Sequence, residues 1–299
     1  MMARGGAHLR CLGALTVATC LLAAAGCGGG SSQAGESPSR FDSNAAWQLI
    51  EQQVAVGQRP AGSPQLRKLA LKLRPLLPSG QFEAIPGEPR LRNVVGTLLG
   101  TQPAIVLGAH YDTLTKPRGF VGANNGAAGT AILIQAAREL QSMPAGPGAH
   151  QVRFVLFDGE EPPARLPEEG PDFYHEGLRG SRAYAGAHGD QTQAMILLDY
   201  VANRGLYLPR EATSSTELWS RLVNAAETVG VGGFFSLATG PAIIDDHTPF
   251  LRAGIPAIDL IDWRYPGHTL ADGLDRLSRQ SIAGVGAAVV QLIDELREE

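Results

Sequence analysis

Cysteine is nearly missing from this chain: Cys11, Cys20 and Cys27 are the only three, and none lies further on. Everything downstream of residue 27 therefore excludes both a disulfide framework and a thiolate-ligated metal. Lysine is scarce too, occurring only at positions 68, 72 and 116, so the basic residues are almost all Arg. No long basic run occurs and the formal net charge is −4, which argues against nucleic acid as a partner. Several catalytic signatures are also missing. There is no GxSxG elbow, no GxGxxG turn and no phosphate-binding loop, and His175-Glu176 does not extend to HExxH. What the 299 residues do have is a 44% hydrophobic share, enough for a folded core and too much for a disordered chain.

The first 26 residues read as a signal segment. Arg4 and Arg10 precede the uncharged apolar run Cys11–Ala25, which is shorter than the roughly 20 residues of a membrane-spanning helix. The run ends in Ala24-Ala25-Gly26-Cys27, followed by Gly28-Gly29-Gly30-Ser31-Ser32. Small residues leading into Cys resemble a bacterial lipobox. That resemblance implies lipidation at Cys27, a flexible tether over residues 27–40, and export to the outer face of a bacterial membrane. An ordinary secretory signal with a chance cysteine is the alternative. Removing residues 1–26 leaves 23 basic against 29 acidic residues, a net charge of −6. The folded domain is expected over residues 41–299.

Along that domain, strand and helix patterns alternate. Ala46, Trp47, Ile50 and Val54 have helical spacing after Asp42 or Ser43 as N-cap, and Ser63-Pro64 opens a second helix expected to run through Leu77. Strands are predicted at Phe82–Ile85, Asn93–Leu99, Ala104–Gly108, Val152–Phe157, Ala194–Leu198 and Ala257–Ile261. Further helices are predicted at Asn124–Leu140, Ser181–Ala187, Ser215–Val229 and Ser278–Leu296. Continuous apolar runs such as Ile105-Val106-Leu107 and Ile196-Leu197-Leu198 suit a sheet covered on both faces. The expected architecture is one three-layer α/β/α sandwich.

The informative polar residues follow the apolar strands. Ile105–Gly108 runs into His110-Tyr111-Asp112, and Val152–Phe157 into Asp158-Gly159-Glu160-Glu161. Ile196–Leu198 runs into Asp199, and Ala257–Ile261 is followed by His268 and Asp272. A lone Asp after a strand caps a helix, and a lone His serves as a structural hydrogen bonder. Four such strand ends in one chain are a different matter, because open α/β sheets bind ligands beyond the carboxyl ends of their strands. A convergent His, Asp and Glu set without Cys is the ligand chemistry of a catalytic zinc. Adjacent Glu160 and Glu161 suggest that one ligates while the other shuttles protons.

At these residues the sequence resembles the M28-type metallopeptidase and glutaminyl cyclase family. The matching segments are GAHYDT (108–113), GANNGAAG (122–129), LFDGEE (156–161), GSR (180–182), LLD (197–199), DDHTPFLRAGIPAI (245–258) and HTLAD (268–272), in family order. The resemblance implies a mixed, mostly parallel sheet between helices and an enzyme acting on peptide or protein N-termini. It implies Glu161 and His268 as zinc ligands and Glu160 as general acid/base. His110 and Asp199 match ligands of a second zinc in the di-zinc aminopeptidases. The family has Asp, a metal ligand, where this chain has Asn125. A neutral amide is a poor bridge between two dications, so one zinc ion is expected and a second is not. Asn125-Gly126 also raises the expectation of deamidation to Asp.

Within the family, Asp245-Asp246-His247 resembles the cyclases, in which the residues matching Asp199 and Asp245 form a hydrogen-bonded acid pair beside one zinc. Cyclases also carry Trp before the matching histidine, where this chain has Gly267; Trp263 and Tyr265 are the nearest aromatics, either lining a substrate pocket or packing on the core. The sequence reading is therefore a zinc-dependent glutaminyl-peptide cyclotransferase. Its alternatives are a zinc aminopeptidase and a metal-free binding lipoprotein. The insert Pro162–Glu176, rich in prolines and acids, is either a recognition loop over the site or merely solvated.

Overall fold

The structure is a computed structural model that describes residues 41–163 and 173–299; Cys27, the signal segment and the tether lie outside them. Helix α1 (Ser43–Val54) starts where Asp42 accepts from the amides of Asn44 and Ala45. Ser63 accepts from the Leu66 amide to cap α2 (Pro64–Leu73). This helix stops short of Leu77 because Pro75 offers no N–H, and a 3₁₀ turn, Arg74–Leu76, follows. Strands β1 (Gln81–Ala84), β2 (Arg92–Leu98) and β3 (Thr101–His110) come next, then α3 (Gly129–Ser142) and β4 (His150–Phe157). The chain continues through the single turn α4 (Phe173–Glu176), α5 (Arg179–His188) and β5 (Thr192–Leu198). It closes with β6 (Leu208–Arg210), α6 (Thr216–Thr228), β7 (Phe235–Thr239), α7 (Thr248–Arg252), β8 (Ala257–Leu260) and α8 (Arg279–Arg297). Ser215 and Ser278, the first residues of their predicted helices, stand just before them as caps and accept from the amides of Leu218 and Ser281.

Six strands form one sheet in the order β1-β2-β4-β3-β5-β8. β4, β3, β5 and β8 run parallel, while β1 and β2 are antiparallel additions at one edge. The alternation of side chains across the sheet feeds two apolar layers. Ile105, Leu107, Ala109, Ile196 and Leu198 face the larger core with α1, α3, α6 and α8. Val106, Val155, Phe157, Met195 and Leu197 face the smaller one with Tyr184 and Phe250. Buried on both faces, these strands read as unbroken apolar runs, which is why they were visible in the sequence. The short β6–β7 pair was not expected; its residues are polar or exposed at most positions.

The helix expected at Asn124–Leu140 begins later, at Gly129. Before it, Ala123–Ala128 forms a kinked turn in which Asn125 (ψ 99°) and Gly126 (φ 90°) leave helical geometry. A side chain at Gly126 would meet the Asp112 carbonyl oxygen at 2.6 Å. The kink turns Asn125 toward the carboxyl ends of the strands instead of letting it start a helix.

Candidate active site

The parallel strands deliver their acids to one end of the sheet. His110 is the last residue of β3, and Asp199 follows β5. His110 Nδ1 lies 3.6 Å from Asp112 Oδ1 and 3.7 Å from Glu160 Oε2, and its Nε2 lies 3.6 Å from Asp199 Oδ1. Among the described residues neither ring nitrogen has a hydrogen-bond partner. Burial alone would lower the His110 pKa, but the carboxylates of Asp112, Asp199 and Glu160 outweigh it and hold the ring well above its ordinary value. Asp112 orients the neighbouring turn, because its two oxygens accept from the amides of Glu160 (3.3 Å) and Glu161 (3.2 Å).

Both glutamates are buried and pushed well above the usual carboxylate range. For Glu160 the cause is burial and then the charge of Glu161, with His110 opposing; for Glu161 it is burial, with His110 again opposing. Asp158 is pushed up to about 7 by burial and by Asp112. Asp245 is pushed up to about 6 by burial and by Asp199, against the pull of His247. A raised carboxyl pKa near the working pH suits proton transfer.

Asn125 is fixed from two sides. The amides of Asn124 and Asn125 donate to the two oxygens of Asp272 (2.8 and 3.0 Å). Asn125 Nδ2 donates to Glu161 Oε1 at 3.0 Å. Rotating that amide by half a turn places its oxygen where the nitrogen stands, at a separation suited to two donors on one ion. His110, Glu160 and Glu161 also offer ligand atoms within 4.8 Å of one another. Around them cluster the buried carboxyls of Asp112, Asp158, Asp199 and Asp245. So many acids out of water need a cation, and oxygen and imidazole donors suit zinc. The residues present fit a metal ion.

Beside these groups lies an open cleft of about 230 Å³. Asn125, Glu160, Asp199, Asp245 and His268 line its polar side, and Phe173, Tyr200, Ile243, Ile244, Ile261 and Trp263 its apolar side. Of the two aromatics singled out in the sequence, Trp263 lines the cleft and is 44% exposed. Tyr265 does not line it; the residue is buried, and its hydroxyl donates to Asp272 Oδ1 at 2.6 Å. It supports the Asn125 turn, a correction to its expected contact with substrate. His268 is half-buried, edge-on to the Tyr200 ring at 6.2 Å.

Two further residues escaped sequence reasoning. Tyr200 takes a positive φ of 44° and lies against Gly267, where a side chain would meet its ring at 2.3 Å. The absence of a side chain at 267 thus leaves room for Tyr200, and the signal was the glycine itself. Arg59 is fully buried and donates to the carbonyls of Tyr111, Val121 and Gly122. Burial lowers it to about 10. It staples the α1–α2 connection to the strand ends, and nothing local in the sequence marks it.

A mostly parallel sheet with buried His and Glu residues at its strand ends is a frame that could hold a metal ion. The sequence matches the model of peptidase family M28 over residues 93–293, and the chain belongs to that family. Family M28 is zinc-dependent. Among curated relatives, aminopeptidase YwaD of Bacillus subtilis is 27% identical over 204 residues, covering 62% of this chain and 40% of its own length. The glutaminyl-peptide cyclotransferase of Bos taurus is 26% identical over 224 residues, covering 64% and 62%. The chain thus spans less than two thirds of the length of these two relatives. Among solved structures, a glutaminyl cyclase from an Acidobacteriales bacterium superposes with a TM-score of 0.75 at 28% identity, covering 88% of this chain and 97% of its own. A leucine aminopeptidase precursor from Bacteroides thetaiotaomicron gives 0.73 at 25% identity, covering 87% and 98%.

Proposed function

We propose that this M28-family enzyme closes an N-terminal Gln of a peptide or protein to pyroglutamate, releasing ammonia. The observation that carries the reading is that Asp199, Asp245 and Glu160 line one cleft, where burial and then the Asp199 charge raise Asp245 to about 6. Two close carboxyls raise one another's proton affinity, and near pH 6 such a pair offers both a donor and an acceptor to an amide. The neutral Asn125 supports one ion rather than two. A zinc ion held by Glu161, His268 and the Asn125 carbonyl oxygen would supply a Lewis acid for the substrate γ-carbonyl.

The chain's own residues then do the proton work. Glu160 accepts a proton from the substrate α-amine as its nitrogen forms a bond to the γ-amide carbon. The same proton passes to the amide nitrogen, whose bond to carbon breaks, and ammonia leaves. Asp199 and Asp245 hydrogen-bond the amide through the change, and the apolar side of the cleft, Ile243, Ile244 and Trp263, packs against the substrate's carbon chain.

The alternative is an aminopeptidase, in which Glu160 would take its proton from water instead. The nearness of His110 to Glu160 and Asp199 favours it, as a position for a second ion. A coupled assay for ammonia with a Gln-initiated dipeptide, with and without zinc, tests the choice. Ammonia released with the dipeptide bond intact supports cyclisation; free Gln and a free second residue would refute it. The export reading is likewise a proposal: the full chain should fractionate with membranes and Cys27→Ala should release it, whereas equal membrane retention of both would refute lipidation there.

A further inference from the structure

A second buried ionic cluster reaches the cleft through the loop that carries Asp245. Glu211, 1% exposed, follows β6 and collects donors from two segments. Its Oε1 accepts from the amides of Thr213 and Ile243, both at 3.0 Å. Its Oε2 accepts from the Ser214 amide (2.7 Å) and from the hydroxyls of Thr213 (2.8 Å) and Ser214 (3.0 Å). His247 Nε2 stands 3.3 Å from the same oxygen and 3.1 Å from the Thr213 hydroxyl. The Ser214 hydroxyl in turn accepts from the Asp259 amide on β8 at 3.0 Å. One carboxylate therefore ties the start of α6, strand β8 and the loop between β7 and α7.

That loop is the cleft wall. Ala242, Ile243, Ile244 and Asp245 all line the cleft, and Glu211 grips the wall at the Ile243 amide. His247, fully buried, sits two residues beyond Asp245, and its Nδ1 lies 3.8 Å from Asp259 Oδ2. A neutral acceptor would satisfy a loop amide. Burying a charged carboxylate and an imidazole together costs more and is compensated only by close pairing. What the pairing fixes here is the register of Asp245 against Asp199.

We infer that Glu211 and His247 are positioning residues for the proposed reaction: Glu211 fixes the Ile243–Asp245 wall through the Ile243 amide, and His247 sets the charge beside Asp245. The inference rests on the cleft being the site of that reaction. Two variants separate the roles. Glu211→Gln keeps an oxygen for the Ile243 amide but removes the charge beside His247; it should lower kcat roughly tenfold while KM stays within about twofold. Glu211→Ala also releases the wall, and KM should rise by about tenfold as well. Kinetics are read on the zinc-loaded full-length protein with a Gln-initiated peptide, or with whichever N-terminal reaction the wild type performs. Hydrogen exchange at Ile243 supplies a readout without turnover: protected in the wild type and Glu211→Gln, unprotected in Glu211→Ala. If the wild type turned over no peptide, the functional reading would fall and exchange would still judge the pair. Equal exchange in all three proteins, or a parallel loss of kcat and folded fraction with no split between the variants, would overturn it.

Discussion

The acids of the cleft and Glu211 behind its wall are all buried, yet their electrostatics are opposite. At the cleft, Glu160, Glu161 and Asp245 receive few donors and repel one another, so burial drives their pKa values up, Asp245 to about 6. At the β6–α6 junction, Glu211 is equally out of water but collects backbone amides, hydroxyls and His247, which outweigh burial and hold it at about 2. The cleft acids store unmet demand for a cation or a proton, whereas Glu211 is satisfied by donors of its own chain. Donor supply, not burial, decides whether a buried acid is reactive or structural.

The largest expected effect lies among the cleft acids. Glu160→Gln should lower kcat/KM by about 10³-fold, the usual worth of a general acid/base, while leaving zinc content unchanged. Steady-state ammonia release and metal analysis check it. Asn125→Asp should tighten zinc binding by about 10- to 100-fold by adding a charged donor, read by competition with a chelator. An unchanged affinity would show that Asn125 is not a ligand.

Stability against pH sharpens the contrast. For Asp245 the folded pKa, about 6, lies above the unfolded 3.8. Its contribution is present below pH 3.8 and lost as pH rises to about 6, so Asp245→Asn should stabilise the metal-free protein at pH 7, by on the order of 2 kcal/mol. For Glu211 the folded value, about 2, lies below the unfolded 4.5. Its contribution is present above pH 4.5 and lost as pH falls toward 2, so Glu211→Gln should destabilise at pH 7 and approach the wild type at low pH. Thermal unfolding across pH 3–8 measures both, and a common sign for the two variants would break the comparison. The smallest effect is expected at Tyr265→Phe, which removes one hydrogen bond to Asp272 and should cost about 1 kcal/mol with a modest loss of zinc affinity.

The sequence was most informative where the cause is local. Asp42, one of two candidates, and Ser63 cap their helices as expected because a cap needs only its own next turn. The four parallel strands were legible because burial on both faces leaves few polar positions, with exceptions such as Arg153 and Asp259. His110, Glu160, Glu161, Asp199 and Asp245 were legible as strand-end acids and by family resemblance, and the fold gathers them. Arg59, Tyr200 and Glu211 were not, since their partners come from segments far apart in the chain. Tyr265 was misjudged because an aromatic near a site can face either the cleft or the core, and only Asp272 decides which.

The most direct test of the account is the mass spectrum of a Gln-initiated peptide after incubation with the zinc-loaded protein, alongside Glu160→Gln. The account predicts a product lighter by one ammonia with every residue retained, and none with Glu160→Gln. A product shortened by its first residue would contradict it and assign the cleft to peptide hydrolysis.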